Sequence, residues 1–245
     1  EGISKVLYNL KLSVRTTVNL SYKVFGNNPP ADNEIPTLLL HDFLSSKRHW
    51  EGLGKTIVAV VKKPVVAVDL RNHGDSPNSN TVEYKNMAND LLKLIKKIGT
   101  KKANFIGHGL GGMVAMYLAI TNPQAVAGLL VVDISPVSTT PEIILYYTQL
   151  LSAMKEIDFK GVRNLKEARK LARKKLKPLI NDDDVLDTIV RQIRKSDRII
   201  IWKHNLDVFA SNLKRIIIFP RKELRGKTYN GPVLFIGGQK SDYLP

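Results

Sequence analysis

The 245-residue sequence contains no cysteine, which excludes disulfide bonds and thiolate metal sites. No apolar run reaches the roughly 18 residues that a membrane-spanning helix needs. Acidic side chains are few: 22 Asp and Glu face 38 Lys and Arg, which leaves a formal net charge of +16. Only 12 residues are proline, and 43% of the residues are hydrophobic. This composition predicts a large globular domain with a sizeable core rather than a disordered chain.

The excess of positive charge points to two classes of partner, nucleic acid and an anionic membrane surface. The other interpretation is a lysine-rich surface that is simply solvated. We favour the solvated surface, because no nucleic-acid-binding motif accompanies the charge. Contact with a membrane surface would best suit residues 164–178, where basic side chains surround an apolar stripe. We interpret this segment instead as the solvated outer face of a lid.

Short apolar runs alternate with amphipathic segments. The run from Thr37 to His41 is typical of a strand buried on both faces, and the apolar spacing over 82–98 predicts an amphipathic helix. The alternation predicts an α/β fold with a mostly parallel sheet and helices on both faces. The predicted strands are 11–25, 37–41, 64–70, a segment from Asn104, 128–134 and 232–236, and the predicted helices are 49–62, 82–98, 111–121, 141–157, 164–178 and 183–195.

The change in pattern after Pro136 divides the chain into three parts. We expect residues 1–136 to form the first part of the core and residues 137–229 to form a mostly helical lid over the ligand cleft. Residues 230–245 would return to the core with a strand and an acidic loop.

Three loops follow predicted strands, at 41–46, 71–77 and 107–112, and Asp133 ends another strand. Ligands of parallel α/β sheets bind at the carboxyl ends of the strands. We therefore expect the functional site where these loops and Asp133 meet.

The loop at 107–112 has the pattern of a nucleophile elbow that lacks its nucleophile. In GxSxG, small neighbours let a strand turn sharply into a helix and expose the serine hydroxyl. Gly107, His108 and Gly111 fit this pattern, but the middle position is Gly109, which has no hydroxyl to activate. A phosphate-binding turn is the alternative, because Gly107, Gly109 and Gly112 also fit GxGxxG.

A resemblance to a known family decides between these interpretations. The segments that carry it are, in order, LLLHDFLSSKRHW, VVAVDLRNHGDSP, FIGHGLGG, LLVVDISPV and WKHNLDVF. Together they resemble the α/β-hydrolase fold, and within it an ester-hydrolase group that includes mitochondrial proteins of animals and bacterial esterases. The resemblance covers nearly the whole chain, and DLRNHGDSP is more specific than a glycine pattern. It therefore outweighs the nucleotide-binding alternative.

The resemblance implies the parts of an acyl-transfer site. The family serine falls on Gly109, and the backbone N–H groups of Leu110 and Phe43 would form the oxyanion hole. The family pattern His-Gly is replaced here by His41-Asp42. A carboxylate in this loop opposes the negative charge of the transition state, unless Asp42 turns to solvent. In a binding protein, Gly109 would also enlarge the floor of the pocket.

The acid of a triad has three candidates. By resemblance, Asp242 has the usual position in this fold, Asp133 has the position used by bacterial relatives, and Asp207 matches a motif in the lid. Each also has a structural interpretation, as a loop contact, a turn or a helix cap. The sequence leaves the choice open, with Asp133 and Asp242 ahead of Asp207.

The base has no candidate. By resemblance, the catalytic histidine follows a last strand, and we expect that strand and its helix to be missing because the sequence ends at Pro245. None of the five histidines replaces it, and their spacing offers no metal site. Residues 232–236 would then form an exposed apolar edge of the sheet.

These features predict a member of a serine ester-hydrolase family that is inactive or severely impaired as written. The alternative is a non-catalytic protein that binds an acyl ligand or a protein partner in the lidded pocket. The expected ligand is a small acyl ester or a lipid-like molecule, with no cofactor, metal or nucleic acid. The resemblance also implies a mitochondrial location.

Overall fold

The computed structural model describes residues 17–26, 34–137, 139–239, 241 and 243–244. The strands are β1 (Tyr22–Phe25), β2 (Thr37–Leu40), β3 (Val65–Val68), β4 (Ala103–His108), β5 (Val126–Val132), β6 (Ile193–Ser196), β7 (Ile199–Trp202) and β8 (Val233–Ile236). Six of them form one sheet in the order β1-β3-β2-β4-β5-β8. Only β1 runs antiparallel to its neighbour, so the predicted mostly parallel sheet is confirmed. Residues 11–16 of the first predicted strand lie outside the described residues.

The helices of the described chain are α1 (Glu51–Val61), α2 (Tyr84–Lys97), α3 (Leu110–Thr121), α4 (Pro141–Lys155), α5 (Leu165–Leu176), α6 (Asp183–Val190) and α7 (Leu206–Ile217). The first three connect the parallel strands, whereas the last four lie between β5 and β8 in the sequence. Two short 3₁₀ turns, Lys47–Trp50 and Pro123–Ala125, precede α1 and β5. Within the described residues, no helix combines the length and the apolar character needed to cross a membrane.

Hydrophobic core covers both faces of the sheet. Leu38 and Leu40 of β2 belong to the larger core cluster, whereas Leu39 between them belongs to a smaller cluster with Trp50. Successive side chains of a strand point to opposite faces, so this alternation places a core on each side. All three leucines are fully buried, which explains why β2 is an unbroken apolar run.

Helix α3 holds the elbow against the sheet. Every residue from Leu110 to Ala119 is buried, so the helix is apolar on all sides. Gly111 permits its close approach to β2, because a Cβ at this position would overlap the backbone of Leu40. The first turn of α3 therefore lies beside the carboxyl end of β2.

The helix predicted over 183–195 is wrong at its C-terminal end. Helix α6 ends at Val190, and β6 pairs with β7 as a separate antiparallel hairpin. The apolar, β-branched run of β7 favours an extended conformation. The connecting turn places Asp197 at a φ of 52°, a region that aspartate tolerates better than most residues.

Strand β8 is an exposed apolar edge of the sheet. In the described chain it pairs only with β5, and its four side chains are between 48% and 55% exposed. Such an edge presents unpaired N–H and C=O groups to another chain.

We expect the 245-residue chain to self-associate through β8, and Leu234→Lys to shift it towards the monomer, because a charged side chain on an edge opposes strand pairing. Light scattering on the purified chain measures the change. Leu145→Lys is the matched control, since Leu145 is 58% exposed on α4. A monodisperse unmutated monomer would contradict this prediction.

Candidate functional site

The backbone at Gly109 makes the sharp turn that the elbow pattern predicts. Strand β4 ends at His108, α3 begins at Leu110, and Gly109 between them has φ 51° and ψ −118°. This conformation is strained for any residue with a side chain. Gly109 N–H donates to the Val132 carbonyl at 3.2 Å, and Gly111 N–H donates to the His41 carbonyl at 3.1 Å. The turn is therefore attached to the ends of both neighbouring strands.

The carboxylate of Asp42 fills the space in which a serine side chain would begin. Its Oδ1 accepts a hydrogen bond from Leu110 N–H at 2.8 Å. A Cβ built on Gly109 would overlap this same oxygen. Asp42 is thus turned inward, not to solvent, and Gly109 does not enlarge the pocket floor as expected, because the carboxylate occupies the space.

A cavity of about 370 Å³ opens above the elbow. Its wall contains both groups expected at an oxyanion hole, Phe43 and Leu110, together with Gly109 and Asp42. The remaining lining is mostly apolar and comes from the core and from the segment between β5 and β8: Leu44, Ser45, His49, His108, Met113, Asp133, Ile134, Thr139, Ile143, Tyr146, Tyr147, Leu150, Asp184, Val185, Thr188, Ile189, Ile216, Ile217 and Tyr243. A cavity of this size and lining suits a small, largely apolar ligand.

The three candidate acids lie in different surroundings. Asp133 follows β5 with φ 55°, lines the cavity, and accepts a hydrogen bond from Gly238 N–H at 2.9 Å. Asp207 lies in the first turn of α7, where its side chain is 85% exposed and pairs with Lys155 at 2.7 Å. Asp242 lies outside the described residues. The structure therefore brings Asp133, and not Asp207, together with Gly109 at the cavity.

Two buried histidines hold the loops beneath the cavity. His41 Nε2 accepts from Leu70 N–H at 3.0 Å, so its Nδ1 carries the proton and donates to the Asp42 carbonyl at 2.8 Å. His73 is arranged in the same way: Nε2 accepts from Leu44 N–H at 3.3 Å and Nδ1 donates to the Arg71 carbonyl at 2.9 Å. Both ring nitrogens are used in each case, so neither ring is free to act as a base.

A third buried histidine joins this cluster. The His204 ring lies 5.4 Å from the His73 ring, and the His73 ring lies 5.0 Å from that of His41. Burial lowers the pKa of all three, and that of His204 to about 3. The cluster is therefore neutral at physiological pH.

The remaining histidines line the cavity, which the sequence did not reveal. The rings of His49 and His108 stack with centroids 5.8 Å apart. Burial, followed by the neighbouring His108, lowers the pKa of His49. In the described chain, no histidine hydrogen-bonds a carboxylate, and no group of acidic or histidine side chains could hold a metal ion. The spacing of residues 49 and 108 carries no signal from which their meeting could be inferred.

The motif DLRNHGDSP supplies the charged scaffold under the site. Asp69 is fully buried and receives hydrogen bonds from the N–H groups of Lys47 at 2.6 Å and Asp75 at 2.8 Å. Arg71 and Asp90 form a buried bidentate ion pair at 2.7 and 2.8 Å. Lys203, which precedes α7, bonds to Asp75 at 2.5 Å. Hydrogen bonds from Lys203 and Lys47 lower the pKa of Asp75, so this contact persists in acid.

We expect Gly109→Ser and Asp42→Gly to be strongly coupled. A serine at 109 must displace the Asp42 carboxylate from Leu110 N–H, and a hydrogen bond to a charged group is worth about 1.5 to 3 kcal/mol. In an Asp42→Gly background that hydrogen bond is already lost. Gly109→Ser should therefore lower the free energy of unfolding by about 1 to 3 kcal/mol less in that background than in the unmutated chain. Urea unfolding of the four proteins measures this coupling.

Gly99→Ser is the matched control for this cycle, because Gly99 has φ 81° and no atom within 4 Å of its missing Cβ. The loss of unfolding free energy caused by Gly99→Ser reports backbone strain alone, so it should be the same with and without Asp42→Gly. Additive effects of the two elbow substitutions would show that the carboxylate lies elsewhere.

We also expect the free energy of unfolding to fall below pH 6.5, the ordinary pKa of histidine. The three buried histidines stay neutral in the folded chain but are protonated in the unfolded chain, which acid therefore favours. His204 should contribute about 1.4 kcal/mol per pH unit down to its folded pKa. Urea unfolding across this range should show a shallower slope for His204→Phe, and an unchanged slope would contradict the assignment.

Comparisons with known proteins agree with this geometry. The family model described as "alpha/beta hydrolase fold" matches residues 36–243. The chain is 35% identical over 226 residues to the sn-1-specific diacylglycerol lipase ABHD11 of Mus musculus, covering 92% of this chain and 71% of that protein. It is 27% identical to Ethanol acetyltransferase 1 of Eremothecium cymbalariae, covering 95% and 71% of the two chains.

A solved structure titled "Marine microorganism esterase" superposes with a TM-score of 0.80 at 27% identity, covering 93% of this chain and 84% of that chain. The family match spans far more than half of the sequence, and the sheet is mostly parallel, as the resemblance implied. This chain belongs to the α/β-hydrolase fold family.

Proposed function

We propose that this chain binds an acyl ligand, a small ester or a lipid-like molecule, and does not cleave it by serine attack. The observation that carries the proposal is the inward Asp42 carboxylate, which occupies the nucleophile's space and accepts a hydrogen bond from Leu110 N–H. The 1–136 core, the 137–229 lid and the 230–245 return segment are our proposed division of the chain around the cavity.

Serine catalysis lacks its nucleophile at the elbow, and its oxyanion donor there is already engaged. Gly109 has no hydroxyl, and loss of a triad serine lowers kcat by a factor of order 10⁴ to 10⁶. The N–H of Leu110, which would stabilise an oxyanion, already donates to a carboxylate. Negative charge that develops on a substrate carbonyl would be repelled by this carboxylate. The site would therefore destabilise the transition state of ester cleavage.

Two observations support the proposed binding function. Apolar side chains such as Met113, Ile143 and Leu150 supply most of the cavity wall, and burial of apolar surface drives ligand association. The names of the relatives, a diacylglycerol lipase, an acetyltransferase and an esterase, all concern acyl groups. These names support an acyl ligand. A mitochondrial location is a proposal that rests on the family resemblance of the sequence alone.

Asp133 is the acid that we propose as the remnant of a triad. It lies in the cavity wall, and its Oδ1 is oriented by Gly238 N–H. Asp242 remains a candidate from the sequence alone, whereas the position of Asp207 outside the cavity wall offers it no contact with a ligand there.

We expect Ile143→Glu to weaken binding of a fluorescent dodecanoyl ester by about tenfold or more, because a charge in an apolar wall is costly to bury. Leu145→Glu on the same helix should bind normally, since Leu145 does not line the cavity. Fluorescence anisotropy measures binding. Hydrolysis of p-nitrophenyl butyrate should not exceed the buffer rate. Ester cleavage that Ile143→Glu abolishes and Leu145→Glu preserves would show that the chain is an active enzyme.

A further inference from the structure

The cavity has the opposite charge to the rest of the protein. Three aspartates line it, Asp42, Asp133 and Asp184, and its described lining contains neither Lys nor Arg. The whole chain, however, has 38 Lys and Arg and a net charge of +16. The described lining therefore differs from the chain as a whole, because it carries acidic side chains and two histidines but no Lys or Arg.

The Asp42 carboxylate at the floor of the cavity has unused acceptor capacity. In the described chain, its oxygens receive one hydrogen bond, from Leu110 N–H, and make no salt bridge. A carboxylate offers about four acceptor positions. A hydrogen bond from a cationic donor to a carboxylate is roughly twice as strong as one between neutral groups. Burial, followed by the charge of Asp42, raises the pKa of the neighbouring Tyr147 phenol, which indicates that this charge acts within the cavity.

The polar floor is continuous with an apolar wall. Asp42 and Gly109 lie at the end of β2 and at the elbow, while Met113, Ile143 and Ile216 line the same cavity of about 370 Å³. A ligand that matches both parts has one apolar chain and one head group that donates hydrogen bonds. An anionic head group, such as the fatty acid released by an esterase, would face Asp42 and Asp133.

We propose that the cavity selects a single-chain amphiphile with a protonated amine head group, which Asp42 binds while the chain lies along the apolar wall. This inference deepens the proposed binding function and rests on it. It assigns to Asp42 the role of specificity-determining residue. The carboxylate that occupies the nucleophile's space would thus also set the charge preferred at the floor of the site.

Three ligands with the same eight-carbon chain test the head group: n-octylammonium, 1-octanol and octanoate. At about pH 7.5 the amine is protonated, as lysine is, and octanoate is ionised. Isothermal titration should rank octylammonium first and octanoate last. The affinity for octylammonium should exceed that for octanol by about tenfold or more, as expected for a hydrogen bond to a charged group.

Asp42→Asn retains an acceptor for Leu110 N–H but removes the charge. It should reduce the preference for octylammonium over octanol by about tenfold. Asp207→Asn is the matched control, because this aspartate lies outside the cavity wall. If thermal unfolding shows that Asp42→Asn is not folded, Asp133→Asn removes the charge of a second carboxylate of the same cavity wall, with the same result expected.

The outcomes separate the two proposals. If neither the fluorescent dodecanoyl ester nor any of the three ligands binds, the proposed binding function fails, and this inference fails with it. If the dodecanoyl ester binds but the three ligands bind equally, or octanoate binds best, or none of the three binds, only the charge preference is overturned. An octylammonium preference that survives Asp42→Asn and Asp133→Asn would likewise overturn it.

Discussion

The hydrogen bond from Leu110 N–H to the Asp42 carboxylate is the contact on which the chemistry of the cavity depends. It joins the loops after β2 and β4, which are adjacent because these strands pair in parallel. It requires glycine at 109, since any Cβ there would overlap the carboxylate. The same contact engages the donor that would stabilise an oxyanion and places negative charge at the cavity floor. This one contact therefore underlies both proposals, the absence of serine attack and the preference for a cationic head group.

A buried polar scaffold lies beneath this contact. Arg71 and Asp90 pair with each other, and the side chains of Asp69, His41 and His73 hydrogen-bond to backbone groups of the surrounding loops. Removing one member would leave a buried charge or donor without its partner, which is costly. The elbow, by contrast, borders the cavity. Fold alone does not determine function, which has to be argued from the groups at this site.

Elements that depend on local patterns were predictable, and those that depend on a distant partner were not. The apolar spacing over 82–98 predicted α2, which spans Tyr84–Lys97, because a helix satisfies its own backbone hydrogen bonds. The hairpin of β6 and β7 was missed because a strand is stable only beside its partner. In the described chain β8 is an edge strand whose four residues are about half exposed, as expected for residues 232–236.

The sequence by itself determined that position 109 offers no hydroxyl, that the loop after β2 carries a carboxylate, and that apolar strands alternate with helices. Only the tertiary structure decided that Asp42 points inward to Leu110, that His49 meets His108, and that the cavity wall carries aspartates without a described Lys or Arg. The physical reason is that these contacts join residues far apart in the chain. Their side-chain directions are set by how the strand ends and the helices between β5 and β8 pack together, which no local pattern encodes.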